Sequence, residues 1–190
     1  MLDTLVPPRP ETLTEPVLAW RTWTLAGSSD GSEVRLLPLF GERRPWPLQV
    51  PARGSCSRHR RHPVPGLDCT CGLYATHGLE ALRRSRDPAV LGTVALWGRI
   101  VEHAAGYRAE YAYPQRLRLV CFVCFWRAVP DHGRECEVAV RRRGGRLVPL
   151  CSPDLELCRR YGYPTRRLVP AGAVEQSLLS AYAVDVLRTI

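Results

Sequence analysis

The sequence contains no lysine: its 27 basic residues are all arginine, and with 18 acidic residues they give a net charge of +9. Exclusive use of arginine indicates the codon bias of a GC-rich genome, so the clustering of arginines is more informative than their number. A positive net charge is typical of proteins that bind nucleic acid, and it equally suits any other acidic partner.

The chain also lacks two kinds of apolar segment. No run of about 18 or more apolar residues is present, so no transmembrane helix is predicted. The first residues do not combine a charged region with an apolar one, so no signal peptide is predicted. We therefore expect a cytoplasmic protein without a membrane partner. There the eight cysteines would be thiols or metal ligands rather than disulfides.

Several catalytic motifs are absent as well. The chain has no Walker loop, no dinucleotide-binding glycine pattern, no Gly-x-Ser-x-Gly and no His-Glu-x-x-His. The 17 prolines and 15 glycines predict short elements and many turns. The length of 190 residues and the hydrophobic content of 45% predict a loose N-terminal arm (1–16) and a single domain (17–190), with a division into 17–115 and 116–190 as the alternative.

The clearest local pattern is a predicted β-hairpin over residues 93–113. Two runs of β-branched and aromatic residues flank the link 104–106, whose glycine can adopt the conformation that a tight turn requires. This link predicts a register in which Glu102 faces Arg108 as an ion pair and Arg99 faces Tyr111. One face would then carry Trp97, Arg99, Tyr107 and Tyr111. That face is either a platform on which nucleic-acid bases stack or a sheet face covered by the N-terminal segment.

Other segments predict further elements. Strands are predicted at residues 17–25, 34–40 and 116–126 and in a Gly-Gly hairpin over 137–150. Helices are predicted at 78–86, from the N-cap Ser152 to near Gly162, and over 173–187. Together they predict an α+β fold: a mainly antiparallel, partly barrel-like sheet braced by Cys/His (zinc) loops, with C-terminal helices packed on one side.

Five potential metal ligands lie close together before the hairpin, at Cys56, His59, His62, Cys69 and Cys71. Glycines and prolines around them free the loop to wrap an ion, and zinc prefers four such ligands in a tetrahedron. We expect an upstream site formed by Cys56, His62, Cys69 and Cys71, with His59 as the alternate ligand. The spare ligand leaves open a catalytic metal, for which Glu102 or His103 would be the general base.

A second group of ligands follows the hairpin. Cys121 and Cys124 form a Cys-x-x-Cys pair, and Cys151 lies directly before a predicted helix. This order resembles the treble-clef and zinc-ribbon type of structural zinc site, whose fourth ligand usually lies three residues after the third. Here that position is Asp154, a less common ligand. We expect a downstream site formed by Cys121, Cys124, Cys151 and Asp154, with Cys158 as the alternate ligand; a redox pair and buried core thiols are the other interpretations.

Two segments resemble a set of uncharacterised bacterial proteins that share CxCG[IL]YA-like and WGxxxEHxxGYRAExAYP-like stretches. They are CTCGLYA at residues 69–75 and WGRIVEHAAGYRAEYAYP at residues 97–114. The resemblance covers roughly residues 54–125 and implies no activity.

These observations predict a zinc-stabilised, non-enzymatic binding module, with one or two zinc ions, that serves as an accessory or regulatory protein. Its partner would be a protein or a nucleic acid that contacts an arginine-rich surface. The residues expected on that surface are Arg58, Arg60, Arg61, Trp97, Arg99, Tyr107, Tyr111, Arg141, Arg142 and Arg143. A metal-dependent enzyme at the upstream site and a thiol redox protein are the alternatives.

Overall fold

A computed structural model describes residues 11–28, 32–39, 44–58, 62–82, 85, 87–127 and 134–188, and for 11–14 it describes the backbone alone. Residues 1–10 of the predicted arm lie outside these ranges. So do His59, Arg60 and Arg61 of the predicted site and surface. The division of the chain into an arm and a domain stays a prediction.

The described part of the chain forms ten strands and four α-helices. The strands are β1 (Glu11–Gly27), β2 (Val34–Pro38), β3 (Ala52–Arg53), β4 (Leu73–Thr76), β5 (Val90–His103), β6 (Gly106–Leu119), β7 (Val138–Arg141), β8 (Arg146–Leu150), β9 (Leu168–Pro170) and β10 (Asp185–Val186). The helices are α1 (Leu79–Leu82), α2 (Phe122–Trp126), α3 (Ser152–Arg160) and α4 (Ala171–Tyr182).

Four strands close into a ring within one sheet. β5 pairs with β1 on one side and with β6 on the other, and β4 joins β6 to β1, where Thr76 lies opposite Trp20. β2 pairs with β1 and β3 with β6, while β8, β7 and β9 extend the sheet from β1. Among the described strands, only β6 and β10 pair in parallel. The predicted mainly antiparallel sheet is confirmed, and its arrangement is ring-like.

The hairpin of β5 and β6 has a register that differs by one residue from the predicted one. Its turn contains only residues 104 and 105, so Glu102 lies opposite Tyr107 and Val101 lies opposite Arg108. Successive side chains on a strand point to opposite faces. The one-residue slip therefore puts β6 side chains near the turn on the same face as different β5 side chains from those predicted. The predicted ion pair of Glu102 with Arg108 is therefore wrong.

A β-bulge in β5 changes the register again farther from the turn. Gly98 and Arg99 have no direct partner on β6, and Trp97 lies opposite Tyr111. Gly98 adopts a φ of +75°, a left-handed conformation that suits glycine in a bulge. Arg99 was predicted to face Tyr111, and this is wrong: it lies opposite Thr12 of β1.

β6 is longer than predicted. It continues through Pro114 to Leu119, and the predicted strand at 116–126 is the end of β6 followed by α2. The β5–β6 register shifts between Thr93 and Val94, at the position of the proline, which has no N–H to donate to a ladder. The first Cys-x-x-Cys residue therefore follows a strand, and the second lies inside a short helix.

The first residue of β1 and the N-cap residue of α3 also differ from the prediction. β1 begins at Glu11, ahead of the predicted start at residue 17, and its register with β5 shifts between Leu13 and Val17. α3 is capped by Cys151 rather than by Ser152, so the helix begins one residue after a predicted metal ligand.

The C-terminal helix α4 ends earlier than its apolar pattern predicts. Ala183 adopts a left-handed conformation (φ 49°, ψ 52°), and β10 follows in place of the expected last turn. Tyr182 fixes this end in the core, because its hydroxyl donates to Trp46 O and accepts from the Leu36 amide, each at 3.0 Å. α4 contacts β2, β6, β7 and β9. Packing of the C-terminal helices on one side of the sheet stays a prediction.

The main core lies among the ring strands, β2, β8 and α4. Trp23, Leu25, Leu96 and Leu178 are almost completely buried there, and Trp23 packs edge to face against Trp46 with ring centroids 5.3 Å apart. No helix in the described ranges is long and apolar enough to cross a membrane.

The close approach of β4 to the start of β6 makes Gly106 a sensitive position. A Cβ atom on Gly106 would lie 2.1 Å from Ala75 O and 2.6 Å from the Thr76 Cα, both backbone atoms that cannot move aside. We expect Gly106→Ala to lower the free energy of unfolding by about 2 kcal/mol or more, in denaturant titrations followed by circular dichroism. Gly172→Ala is the matched control because open space surrounds that position. Equal stability of the two variants would contradict the described hairpin.

Candidate metal centres

The upstream site brings its four predicted ligands together. One ligand atom from each of Cys56, His62, Cys69 and Cys71 lies within 4.8 Å of the others. The Sγ atoms of Cys56 and Cys69 are 3.7 Å apart, and Cys71 Sγ is 4.0 Å from His62 Nε2. Two sulfurs bound to one tetrahedral zinc lie about 3.8 Å apart, since each Zn–S bond is about 2.3 Å. The group can therefore hold a metal ion.

The ring of His62 is oriented for ligation. Its Nδ1 lies 2.7 Å from Pro63 O, so this nitrogen donates to a carbonyl and leaves Nε2 facing Cys71. A metal-binding histidine usually has its second nitrogen held in this way. The Pro63 carbonyl, and next the Cys56 thiol, raise the pKa of His62. A metal ion would compete with that proton at Nε2.

Glycines shape the upstream loop around its ligands. The Gly66 amide donates to Cys71 Sγ at 3.4 Å, and a Cβ atom on Gly66 would lie 2.8 Å from the His62 ring. Gly72 has a φ of +114°, a conformation that other residues rarely adopt. These two positions explain how a Cys-x-Cys pair can turn both sulfurs toward one point.

Arg108 holds the upstream loop against the hairpin, and its contacts with the carbonyls of that loop are called here the Arg108 clamp. Its guanidinium donates to Gly66 O at 3.1 Å, to Cys71 O at 3.3 Å and to Cys69 O. The residue is 9% exposed although it carries a charge. Three carbonyl acceptors offset the cost of that burial. The sequence prediction missed this role because it paired Arg108 with Glu102.

Glu102 has a different partner. Its Oε1 lies 3.1 Å from His77 Nε2, and the His77 ring packs against Tyr107 with centroids 4.5 Å apart. Glu102 pairs across the hairpin with Tyr107, and the neighbouring pair contains Arg108. Neighbouring pairs point to opposite faces, so Glu102 and the Arg108 clamp occupy different faces of the hairpin.

The downstream site is more deeply buried than the upstream one. The sulfurs of Cys121, Cys124 and Cys151 lie 3.1, 3.0 and 3.2 Å from Asp154 Oδ2, and Cys124 Sγ is 3.6 Å from Cys151 Sγ. All four residues are buried. Sulfur and carboxylate oxygen on one tetrahedral zinc lie about 3.5 Å apart. The set is thus compact enough to surround a single metal ion.

Short elements position the downstream ligands. Cys121 follows β6 and caps α2, and Cys124 lies within that helix. Cys151 caps α3, and Asp154 lies in its first turn, where the helix dipole favours a negative charge. Two helix starts therefore face each other, with two ligands from each.

The electrostatics of the downstream site favour a bound cation. Burial, assisted by the Asp154 carboxylate, raises the pKa of Cys121 to about 12 and raises that of Cys124 as well. Burial also acts to raise the pKa of Asp154, but hydrogen bonds from the thiols outweigh it and lower that pKa. Without a cation, three thiols share one carboxylate oxygen. A metal ion held there would replace those protons and bind the thiolates directly.

Two further cysteines lie near the downstream site without joining it. Cys158 is buried in the same small core, but its sulfur is not among the four converging ligand atoms. Cys136 is partly buried between this core and the main core, and burial raises its pKa. The redox interpretation of the Cys121–Cys124 pair stays a prediction.

The predicted binding surface is divided among several places. The Trp97 and Tyr111 rings stack with centroids 6.1 Å apart and an interplanar angle of 18°, and the Arg53 guanidinium lies 5.6 Å from the Tyr111 ring. Tyr107 packs separately, on His77. Arg58 is exposed in the upstream loop, between Cys56 and His62. Arg141, Arg142 and Arg143 lie at the end of β7 and in the turn to β8.

No protein-family model, curated protein or solved structure matches the chain. The resemblance of residues 69–75 and 97–114 to bacterial proteins therefore stays a prediction.

The Arg108 clamp predicts that a substitution of Arg108 weakens metal binding at the upstream site and not at the downstream site. Arg108→Met removes the nitrogen, Nη1, that donates to all three carbonyls, so we expect the upstream metal affinity to fall about 10- to 100-fold, as for other residues that orient ligands. Competition with a chromophoric chelator measures this loss, and the downstream site is the internal reference. Arg53→Met is the matched control, because Arg53 is exposed and pairs only with Glu110, at 3.5 Å, among the described ion pairs. Equal affinities in the two variants would contradict the clamp.

Proposed function

We propose that the protein is a zinc-stabilised, non-enzymatic binding module with two structural zinc ions. The observation that carries this proposal is the buried convergence of three cysteine sulfurs on Asp154 Oδ2. Four protein ligands fill a tetrahedral zinc, whereas a catalytic zinc keeps one position open for water or substrate. In each site the chain supplies four ligand atoms.

Zinc is the metal that this donor chemistry favours. The upstream site offers three sulfurs and an imidazole, and the downstream site offers three sulfurs and a carboxylate. Calcium and magnesium prefer oxygen ligands, while thiolate and imidazole in a tetrahedron suit zinc. The structure describes all eight cysteines and joins none of them in a disulfide, a state that persists in a reducing compartment such as the cytoplasm.

The alternative of a metal-dependent enzyme receives less support. Glu102, one of its two candidate bases, is bound to His77 and lies on the hairpin face opposite the Arg108 clamp. Burial, and next Arg108 and His77, lower the pKa of the other candidate, His103, which keeps its imidazole neutral as a base requires; the case against an enzyme therefore rests on the four ligand atoms that fill each site. We therefore assign the upstream metal a structural role, in which it fixes the loop that Arg108 anchors.

The first test of the proposal is the metal content of untagged protein purified without chelator. We expect two zinc ions per chain, and one each in Cys69→Ser and Cys121→Ser, because each variant removes a ligand from a different site. Cys136→Ser is the matched control and retains both ions. Mass spectrometry under native conditions counts the ions, and circular dichroism with a strong chelator shows whether the fold depends on them. A metal-free folded protein would overturn the proposal.

Asp154 provides a sharper test of the downstream site. Asp154→Asn replaces an anionic ligand with a neutral amide, so we expect downstream affinity to fall by about 100-fold or more, measured by competition with a chelator. Asp154→Cys supplies a fourth thiolate and retains the metal. Glu156→Gln, an exposed position on the same helix, should leave affinity unchanged. Retained affinity in Asp154→Asn would show that Asp154 is not a ligand.

A further inference from the structure

We propose that one face of the C-terminal region binds single-stranded nucleic acid; this inference rests on the binding module proposed above and names its partner. The face, called here the arginine–tyrosine surface, consists of residues 141–146 and 159–167. Each segment contains four arginines and no acidic residue. The first includes the turn between β7 and β8, and the second runs from the end of α3 toward β9.

Backbone and ring contacts join the two segments into one surface. The Arg141 amide donates to Arg167 O at 2.8 Å, which ties the end of β7 to the second segment. The Arg142 guanidinium lies 4.7 Å from the Tyr163 ring. The Tyr163 amide in turn donates to Cys158 O at 2.8 Å, which folds the segment back on α3. The arginines of both segments therefore neighbour one another in space as well as in sequence.

Two tyrosines on this surface remain open to solvent. Tyr161 is 76% exposed and Tyr163 is 45% exposed. Large exposed aromatic residues within a basic patch are the features that bind single strands, because each base has a face that can stack on a ring. A double helix keeps its bases stacked on each other, so it cannot use the tyrosines in this way.

The charge of the surface is only slightly neutralised. In the described part of the chain, Arg146 pairs with Asp87 at 3.6 Å and Arg159 pairs with Glu156 at 3.7 Å. Both pairs are exposed, so they bind weakly and leave both arginines able to contact a phosphate. The remaining positive charge is complementary to a phosphodiester backbone.

The surface depends on the downstream site through α3. This helix begins next to Cys151, carries Asp154 in its first turn and ends at Arg160, on the arginine–tyrosine surface. The metal thus fixes the start of the helix whose end presents the arginines. Substitutions on the surface lie outside both ligand sets, so they can remove nucleic-acid binding without removing zinc.

The test uses the full zinc-loaded chain and fluorescence anisotropy with labelled single-stranded DNA and RNA of mixed sequence. We expect binding to both, with an affinity that falls steeply as salt is raised. Arg143→Gln combined with Arg166→Gln should weaken binding at low salt about tenfold or more. It should also reduce the slope of log K against log salt by about 1.4, since each lost phosphate contact contributes about 0.7.

The tyrosine variants separate stacking from charge. Tyr161→Ala should weaken binding about fivefold or more without changing the salt slope, and Tyr161→Phe should retain binding because the ring remains. Arg53→Gln combined with Arg116→Gln, at exposed positions on β3 and β6, removes two charges outside the surface; this control and Arg116→Gln alone should bind as the unaltered protein does. Zinc content is measured for every variant.

Several results would overturn the inference. Absence of binding by the two-zinc protein would refute the nucleic-acid partner and leave the zinc module intact, with an acidic protein as the remaining partner. Tighter binding of duplex than of single strands, with no effect of Tyr161→Ala, would refute stacking. An equal loss in Arg116→Gln and in the paired arginine variant would refute the location. Binding by a folded protein without zinc would support the surface while overturning the proposed function.

Discussion

The fold depends on the downstream site, which brings together thiols and a carboxylate that are unfavourable neighbours unless a cation lies between them. In the downstream site three sulfurs lie within 3.2 Å of one buried carboxylate oxygen. A metal ion would replace these close contacts with metal–ligand bonds, and its binding energy would then contribute to folding. α2, with five residues, is far too short to be stable alone, so it needs the contacts of Cys121 at its N-cap and of Cys124 in its middle. The same constraint orients α3.

The upstream site joins the sheet by another interaction. Its loop contains little regular structure, and Arg108 connects it to β6 through three backbone carbonyls. A buried guanidinium needs several acceptors, and a loop wrapped around a metal presents its carbonyls outward. A metal ion and the arginine would therefore support each other: the ion would set the loop conformation, and the loop carbonyls accept hydrogen bonds from the charged side chain. Neither Glu102 nor any other carboxylate is needed to balance Arg108.

The residues that converge in the two candidate sites were predictable from the sequence, because metal ligation depends on residue type and on spacing along the chain. The downstream site lies where the starts of α2 and α3 meet. Its four residues were identified from the Cys-x-x-Cys pair and from the predicted helix start. The hairpin register was not predictable, because β4 contacts Gly106 from about 30 residues away in the sequence and restricts the turn to two residues. A one-residue slip then concealed the role of Arg108. The bulge at Gly98 likewise separated Arg99 from Tyr111.

Helix α3 connects the downstream site, at its start, with the arginine–tyrosine surface, at its end. Asp154 lies in the first turn, Arg159 and Arg160 lie in the last, and nine residues of helix span about 13 Å. A helix is stiff over this distance, so the direction in which it leaves the metal determines where its last turn lies. Segment 159–167 then folds back through Cys158 O and contacts the β7–β8 turn. Arginines on two separate elements can share one partner only if that direction is fixed, and the ligands at the start of α3 fix it.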